Sequence, residues 1–239
     1  VGSKLNAAIQ VEGLSRWLEI PAAVEVLPPR PRILVVKLSL PESVGVELAP
    51  GELPLGAAIV ATVRAEPLHA TPILEVSCVE RDLALQTIRA RPGETSSGLH
   101  VRSSGPGELF LSLDAARVGQ PGCRLQVILE TPMQGRSDPY ELGRLVAVPR
   151  IERFHLTAEQ AGPGRYIGVI EGSGLEVIER VGWTAEDGMP VTELPVPVSS
   201  DGLRQRLRVV LPWPSPEPHA PLYIWLRGDT RGRATSARY

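Results

Sequence analysis

The chain has 239 residues, 43% of them apolar, and a formal net charge of −2 at pH 7. That apolar share supports packed cores and excludes a disordered chain. The near-neutral balance excludes the basic field of a nucleic-acid binder, and the absence of any run of about 18 apolar residues excludes a transmembrane helix. Proline stands at 24 residues and glycine at 23, against usual shares of about 5% and about 7%. Proline is thus roughly doubled, which disfavours helix interiors and central strands and favours many short strands joined by turns. Aromatic residues make up only 4%, so the cores must be built from Val, Leu, Ile and Ala. The basic residues are nearly all Arg, with only Lys4 and Lys37, and Asn6 is the only asparagine. That bias fits a GC-rich bacterial genome. Residues 1–30 carry no charged-then-apolar leader pattern.

In chain order, residues 8–12, 17–20 and 23–26 alternate apolar and polar side chains. Period two predicts half-buried strands. They are too few for a domain, so residues 1–31 are read as an N-terminal β arm or the tail of a preceding repeat. Leu27-Pro-Pro-Arg-Pro-Arg-Ile33 is a stiff joint, and Pro-Arg-Ile recurs at 149–151. Between the two copies, residues 32–148 hold strand-like runs at 35–40, 57–64, 73–79, 98–102, 108–113, 123–129 and 142–148. Residues 82–90 fit a strand or a short helix. Pro-Gly and Gly-Pro-Gly turns separate the runs, a spacing that predicts a β-sandwich of immunoglobulin-like size. Residues 149–239 repeat the pattern, with strands at 166–170, 175–183, 205–211 and 222–227 and a closing hairpin after residue 228. No βαβ unit is legible. The predicted fold is all-β: tandem immunoglobulin-like sandwiches at 32–148 and 149–239, preceded by the arm.

Several residues invite a chemical reading. Cys78 and Cys123 lie 45 residues apart inside strand-like runs, a spacing that rules out a zinc knuckle. They form either an inter-sheet disulfide of an exported sandwich or a pair of buried thiols. The histidines, His69, His100, His155 and His219, make no metal-binding or catalytic motif. Without a Gly-x-Ser-x-Gly elbow, no catalytic residue is assigned. The loops 162–164 and 172–174 read as hairpin turns rather than phosphate loops. Asp138 and Glu141 sit in the most polar stretch but supply too few carboxylates for calcium. Residues 211–221 are proline-rich and read as a stiff connector between two sheets. Arg227-Gly-Asp229 spells an adhesive tripeptide, although Gly-Asp is an ordinary turn pair. By alternation Tyr223, Trp225 and Arg227 share a face opposite Leu222, Ile224 and Leu226. This makes Tyr223 and Trp225 a candidate exposed pair for stacking on a sugar ring or a protein partner.

The run Pro149-Arg-Ile151, then Gly164-Arg-Tyr-Ile-Gly-Val-Ile-Glu-Gly-Ser-Gly-Leu175, then Ile178-Glu-Arg-Val-Gly-Trp183 resembles the opening of a TIG/IPT-type immunoglobulin-like domain. It covers about the first third of the last module, and Gly162-Pro-Gly164 stands where the usual glycine pair would be. The resemblance implies an immunoglobulin-like sandwich in an extracellular bacterial protein, and it implies no functional residue.

The sequence therefore leads to a non-enzymatic structural or adhesion-type segment of a larger exported bacterial protein, periplasmic or at the cell surface, without cofactor or metal. Its partners would be other domains of the same or a partner protein, with no nucleic acid and no membrane insertion. Alternatives are a carbohydrate- or protein-binding module using the Tyr223/Trp225 face, or an accessory region of an enzyme whose catalytic domain lies outside this chain. A cytoplasmic scaffold docking through exposed strand edges is the alternative location.

Overall fold

The computed structural model describes residues 3–13, 15–40, 45–68, 70–213 and 219–238. Strands dominate throughout, and no helix among the described residues is long and apolar enough to cross a membrane. The chain opens with a two-stranded hairpin of β1 (Ser3–Gln10) and β2 (Trp17–Val26). Its register slips at Asn6, whose Oδ1 accepts the N–H of Ala22 at 3.0 Å. The half-burial expected of these strands is absent: every residue of β2 is exposed. The period-two pattern is real, but in this structure it faces solvent.

The next strands are β3 (Arg32–Ser39), β4 (Glu52–Leu55), β5 (Ala58–Glu66), β6 (Ile73–Cys78), β7 (Ile88–Ala90) and β8 (Thr95–Ser96). They are followed by β9 (Leu99–Gly105), β10 (Glu108–Asp114), β11 (Arg124–Thr131), β12 (Gly135–Arg136) and β13 (Tyr140–Ala147). One sheet has the order β3-β5-β10-β9-β8, the other β4-β13-β11-β6-β7, with β12 against β11. Only β4 and β13 among these neighbours run parallel. Period-two alternation aims Ile59, Ala61, Val63 and Ala65 of β5 and Leu109, Leu111 and Leu113 of β10 inward. They meet Leu74, Leu125, Val127, Leu129 and Leu145 from the facing sheet in one buried core. The ambiguous segment 82–90 is turn-like until β7.

The second pair of sheets contains β14 (Arg150–Gly162), β15 (Arg165–Ser173), β16 (Ile178–Gly182) and β17 (Met189–Pro190). It is completed by β18 (Val196–Pro197), β19 (Gln205–Pro212), β20 (Pro221–Leu226) and β21 (Arg233–Arg238). The sheet orders are β14-β15-β19-β18 and β17-β16-β20-β21. Ile170, Leu207, Val209 and Leu211 pack against Ile178, Val181, Leu222 and Ile224. The predicted strand at 175–183 begins instead with a 3₁₀ turn, Leu175–Val177, after Gly174 in the left-handed region at φ 66°. Residues 214–218 of the proline-rich connector lie outside the described residues, as does His69.

The two cores are interlocked. Val46, from the stretch between β3 and β4, is buried in the second core and forms an antiparallel bridge to Thr235 of β21. Glu47 N–H donates to Ala234 O at 2.9 Å, and Ser236 N–H donates to Gly45 O at 2.8 Å. Residues 45–47 thus extend a sheet formed by the C-terminal part of the chain. The hairpin joint is anchored too: buried Gln134 donates from Nε2 to Pro29 O at 2.9 Å and to Pro67 O at 2.8 Å.

Candidate functional site

The most organised polar cluster lies where the two cores meet. The β20–β21 turn is closed by Asp229, whose N–H donates to Leu226 O at 2.9 Å while its Oδ2 accepts the Leu226 N–H at 3.0 Å. That turn holds the Asp229 carboxylate toward Arg233, the first residue of β21. From the other core, Glu52 opens β4 and accepts the Ala49 N–H at 2.8 Å. Arg233 forks between both acids. Its Nε and Nη2 reach Asp229 at 2.6 and 2.8 Å. Its Nη2 reaches Glu52 Oε1 at 3.0 Å, and its Nη1 bonds the other Glu52 oxygen. The side chains of Arg233, Asp229 and Glu52 are only 12%, 15% and 17% exposed.

Charge follows the geometry. The Arg233 hydrogen bonds, opposed by desolvation, hold Glu52 below the usual carboxylate range. Asp229 and then Glu52 push the Arg233 guanidinium further up, so it is permanently charged. A planar guanidinium satisfying two carboxylates in fork geometry is a strong, orientation-specific contact. Open clefts lie against this ion triad. One of about 530 Å³ is lined by Glu47, Pro50, Tyr223, Arg231 and Gly232. Another of about 540 Å³ is lined by Arg144, Glu176, Val177, Arg227 and Asp229. Arg233 is the shared partner of both carboxylates, so the cluster links the start of β4 to the β20–β21 turn.

The sequence-derived candidates fall out differently from their expected geometry. Tyr223 is half-buried and lines the first cleft. Trp225 is not an exposed partner for it: the residue is 2% exposed. Gly188 and Gly232 lie flat on it, and a Cβ on either would come within 2.6 or 2.7 Å of ring carbons. The sheet's outer face is covered at this point by two loops, which alternation cannot reveal. Arg227 is 83% exposed and lies 3.5 Å from Glu179. The tripeptide Arg227–Asp229 presents no available carboxylate, since Asp229 is committed to Arg233 and the turn.

Cys78 and Cys123 are joined in a disulfide, with Cα atoms 5.7 Å apart. It is not the inter-sheet bridge of the sequence reading. β6 and β11 are antiparallel neighbours, and Cys78 lies opposite Leu125, so the bond staples two strands of one sheet. Glu80 caps this corner, accepting from Arg124 N at 2.7 Å and Nε at 2.6 Å. Those bonds hold its carboxyl down at about 2. Cys78, Glu80 and Cys123 are also the only group among the described residues whose potential metal-ligating atoms converge. The sulfur–sulfur bond and the Arg124 pairing already use those atoms. Asp138 and Glu141 do not join such a group; Glu141 instead pairs with Arg124 at 3.7 Å. His100 Nδ1 contacts Thr95 Oγ1 at 2.8 Å across β8 and β9.

The sequence reading missed Arg233 and Glu52, which carry no motif and lie far apart in the chain. It also missed the aromatic pair Tyr166 and Trp213, with ring centroids 5.1 Å apart and planes at 53°. Trp213 is 40% exposed. The tilt denies a flat platform, so a sugar ring could stack on only one of the two rings. No family model matches this chain, and no curated protein matches it.

Proposed function

We propose that the chain is a non-enzymatic structural or adhesion-type segment of a larger exported bacterial protein, built of tandem immunoglobulin-like sandwiches of the TIG/IPT type. Its role is to space and orient neighbouring domains of the same or a partner protein. The observation that carries this reading is the Arg233 fork, which ties Glu52 to Asp229 at the junction of two cores. Residues 45–47 reinforce it by pairing with β21. A spacer needs a joint that resists bending, and a nearly buried ion triad plus added strand pairing supplies one. The Cys78–Cys123 bond supports an oxidising compartment.

The export part is tested by alkylating native-source protein under denaturing, non-reducing conditions and weighing it intact. The expected product carries no alkyl group on Cys78 or Cys123. Alkylation of both would remove the chemical support for export and favour a cytoplasmic scaffold. The spacer part is tested by scattering from the whole chain. A single sharp shape that loosens in Arg233→Ala supports it, and a flexible envelope in the unsubstituted chain contradicts it.

A further inference from the structure

The hairpin at the start of the chain has one apolar face that no other strand among the described residues covers. Its cross-strand pairs Ala7/Ile20 and Ile9/Leu18 share that face, and the apolar pair Leu5/Val24 lies beyond the register slip at Asn6. The opposite face carries Lys4/Glu25, Ala8/Glu19 and Gln10/Trp17. Leu5, Ile9, Leu18 and Val24 are each about half exposed. An isolated two-stranded hairpin is marginal in water and needs a third strand or a packed face. A second open element exists in the same chain. β3 is the outer strand of its sheet. Its Ile33 and Val36 pack on the first core, while Leu34, Val35 and Leu38 stay exposed. Such an apolar edge is a template for strand addition.

The two open elements do not meet within one chain. β2 pairs with β1 alone among the described strands. The joint between β2 and β3 contains Pro28, Pro29 and Pro31, which fix φ and offer no N–H. Gln134 clamps the joint at Pro29 O, and Pro31 is buried. The hairpin is therefore led away from its own β3. Charge matches the two edges to each other. β2 carries Glu19 and Glu25 with no basic residue, and β3 carries Arg32 and Lys37 with no acidic one. The long outer strand β14 is a poorer acceptor, since Arg150, Glu152, Arg153 and Glu159 mix both signs along it.

We infer that two copies of this chain associate by reciprocal strand addition, the β2 edge of each hairpin pairing with the β3 edge of the other copy. Each copy supplies both halves of the contact, so the arrangement closes as a two-fold dimer. The hairpin's apolar face then continues the layer formed by Ile33, Val36 and Leu38. This goes beyond the spacer reading, which holds for a monomer as well.

Sedimentation velocity on the full chain tests it. The unsubstituted chain is expected to form a dimer by about 100 µM, typical of a modest interface. Glu19→Lys with Glu25→Lys gives a chain with two basic edges, and Arg32→Glu with Lys37→Glu gives one with two acidic edges. Each alone is expected to bind itself at least about tenfold more weakly, because like charges face each other. Their equimolar mixture matches both contacts and is expected to restore the dimer. All four changes in one chain are expected to restore it as well. Circular dichroism matching the unsubstituted chain establishes that each variant is folded. A monomeric unsubstituted chain overturns the inference. So does a dimer indifferent to both reversals, or folded variants whose mixture and four-fold combination both stay monomeric.

Discussion

Glu52 and Arg233 stand 181 residues apart in the chain and share a two-oxygen ion pair, with Nη2 to Oε1 at 3.0 Å. The pair binds the start of β4, whose core lies in the middle of the chain, to the start of β21 near its end. Asp229 completes the fork from within the β20–β21 turn.

Removing the guanidinium leaves two nearly buried carboxylates facing each other. Arg233→Ala is expected to destabilise the chain by about 3 kcal/mol, the lower end of the range for breaking a buried ion pair. Glu52→Gln should cost less, since Asp229 still satisfies the guanidinium. Urea unfolding of the two single variants and the double variant measures this, and additive effects would mean that the pair is not coupled.

Acid should loosen the molecule in a defined window. Glu52 and Glu80 both titrate lower in the folded chain than their unfolded value of 4.5, Glu80 at about 2. A carboxyl with a lowered folded pKa contributes its stability above the unfolded value and loses it as pH falls through the folded one. Urea midpoints are therefore expected to hold steady from neutral pH to about 5 and to fall between about 4.5 and about 2. Glu80→Gln should flatten part of that fall. An unchanged slope in this variant would show that Glu80 has no share in it.

Trp225 should behave as a core residue. Trp225→Ala is expected to cost about 3–5 kcal/mol, as for a large buried aromatic side chain. Gly188→Val should also destabilise, because its Cβ would fall 2.6 Å from the indole. Tyr223→Ala should cost far less. Chemical denaturation ranks the three, and a tolerant Trp225→Ala would contradict the covered face.

Much of the strand pattern was legible because alternation is a local property. Ile59, Ala61, Val63 and Ala65 point inward as their spacing requires, as do Leu207, Val209 and Leu211. Alternation assigns a side chain to one side of a sheet but says nothing of what lies on that side. Trp225 illustrates this, since its cover comes from loops around Gly188 and Gly232. The N-terminal strands show the reverse: their period is correct, yet among the described residues no sheet lies opposite. The sequence left Cys78 and Cys123 open between an inter-sheet bridge and two buried thiols; that they join neighbouring strands of one sheet is a long-range fact that spacing does not carry. The Glu52–Arg233 pair was illegible for the same reason, and it is also the centre of the candidate site.

The disulfide closes a loop of 45 residues, for which chain entropy gives about 4 kcal/mol of stabilisation. Reduction is expected to lower the urea midpoint accordingly. Cys78→Ser with Cys123→Ser should reproduce that loss and no longer respond to reductant. A midpoint indifferent to reductant in the unsubstituted chain would show that the bond contributes no stability.

If Arg233 makes the two cores one stiff unit, distances across their junction stay fixed. Spin labels at Ser104→Cys in β9 and Ser200→Cys between β18 and β19, both exposed, measure them by electron–electron double resonance. One narrow distance distribution that broadens when Arg233→Ala is added is expected. A broad distribution already present in the unsubstituted junction, unchanged by Arg233→Ala, would contradict it.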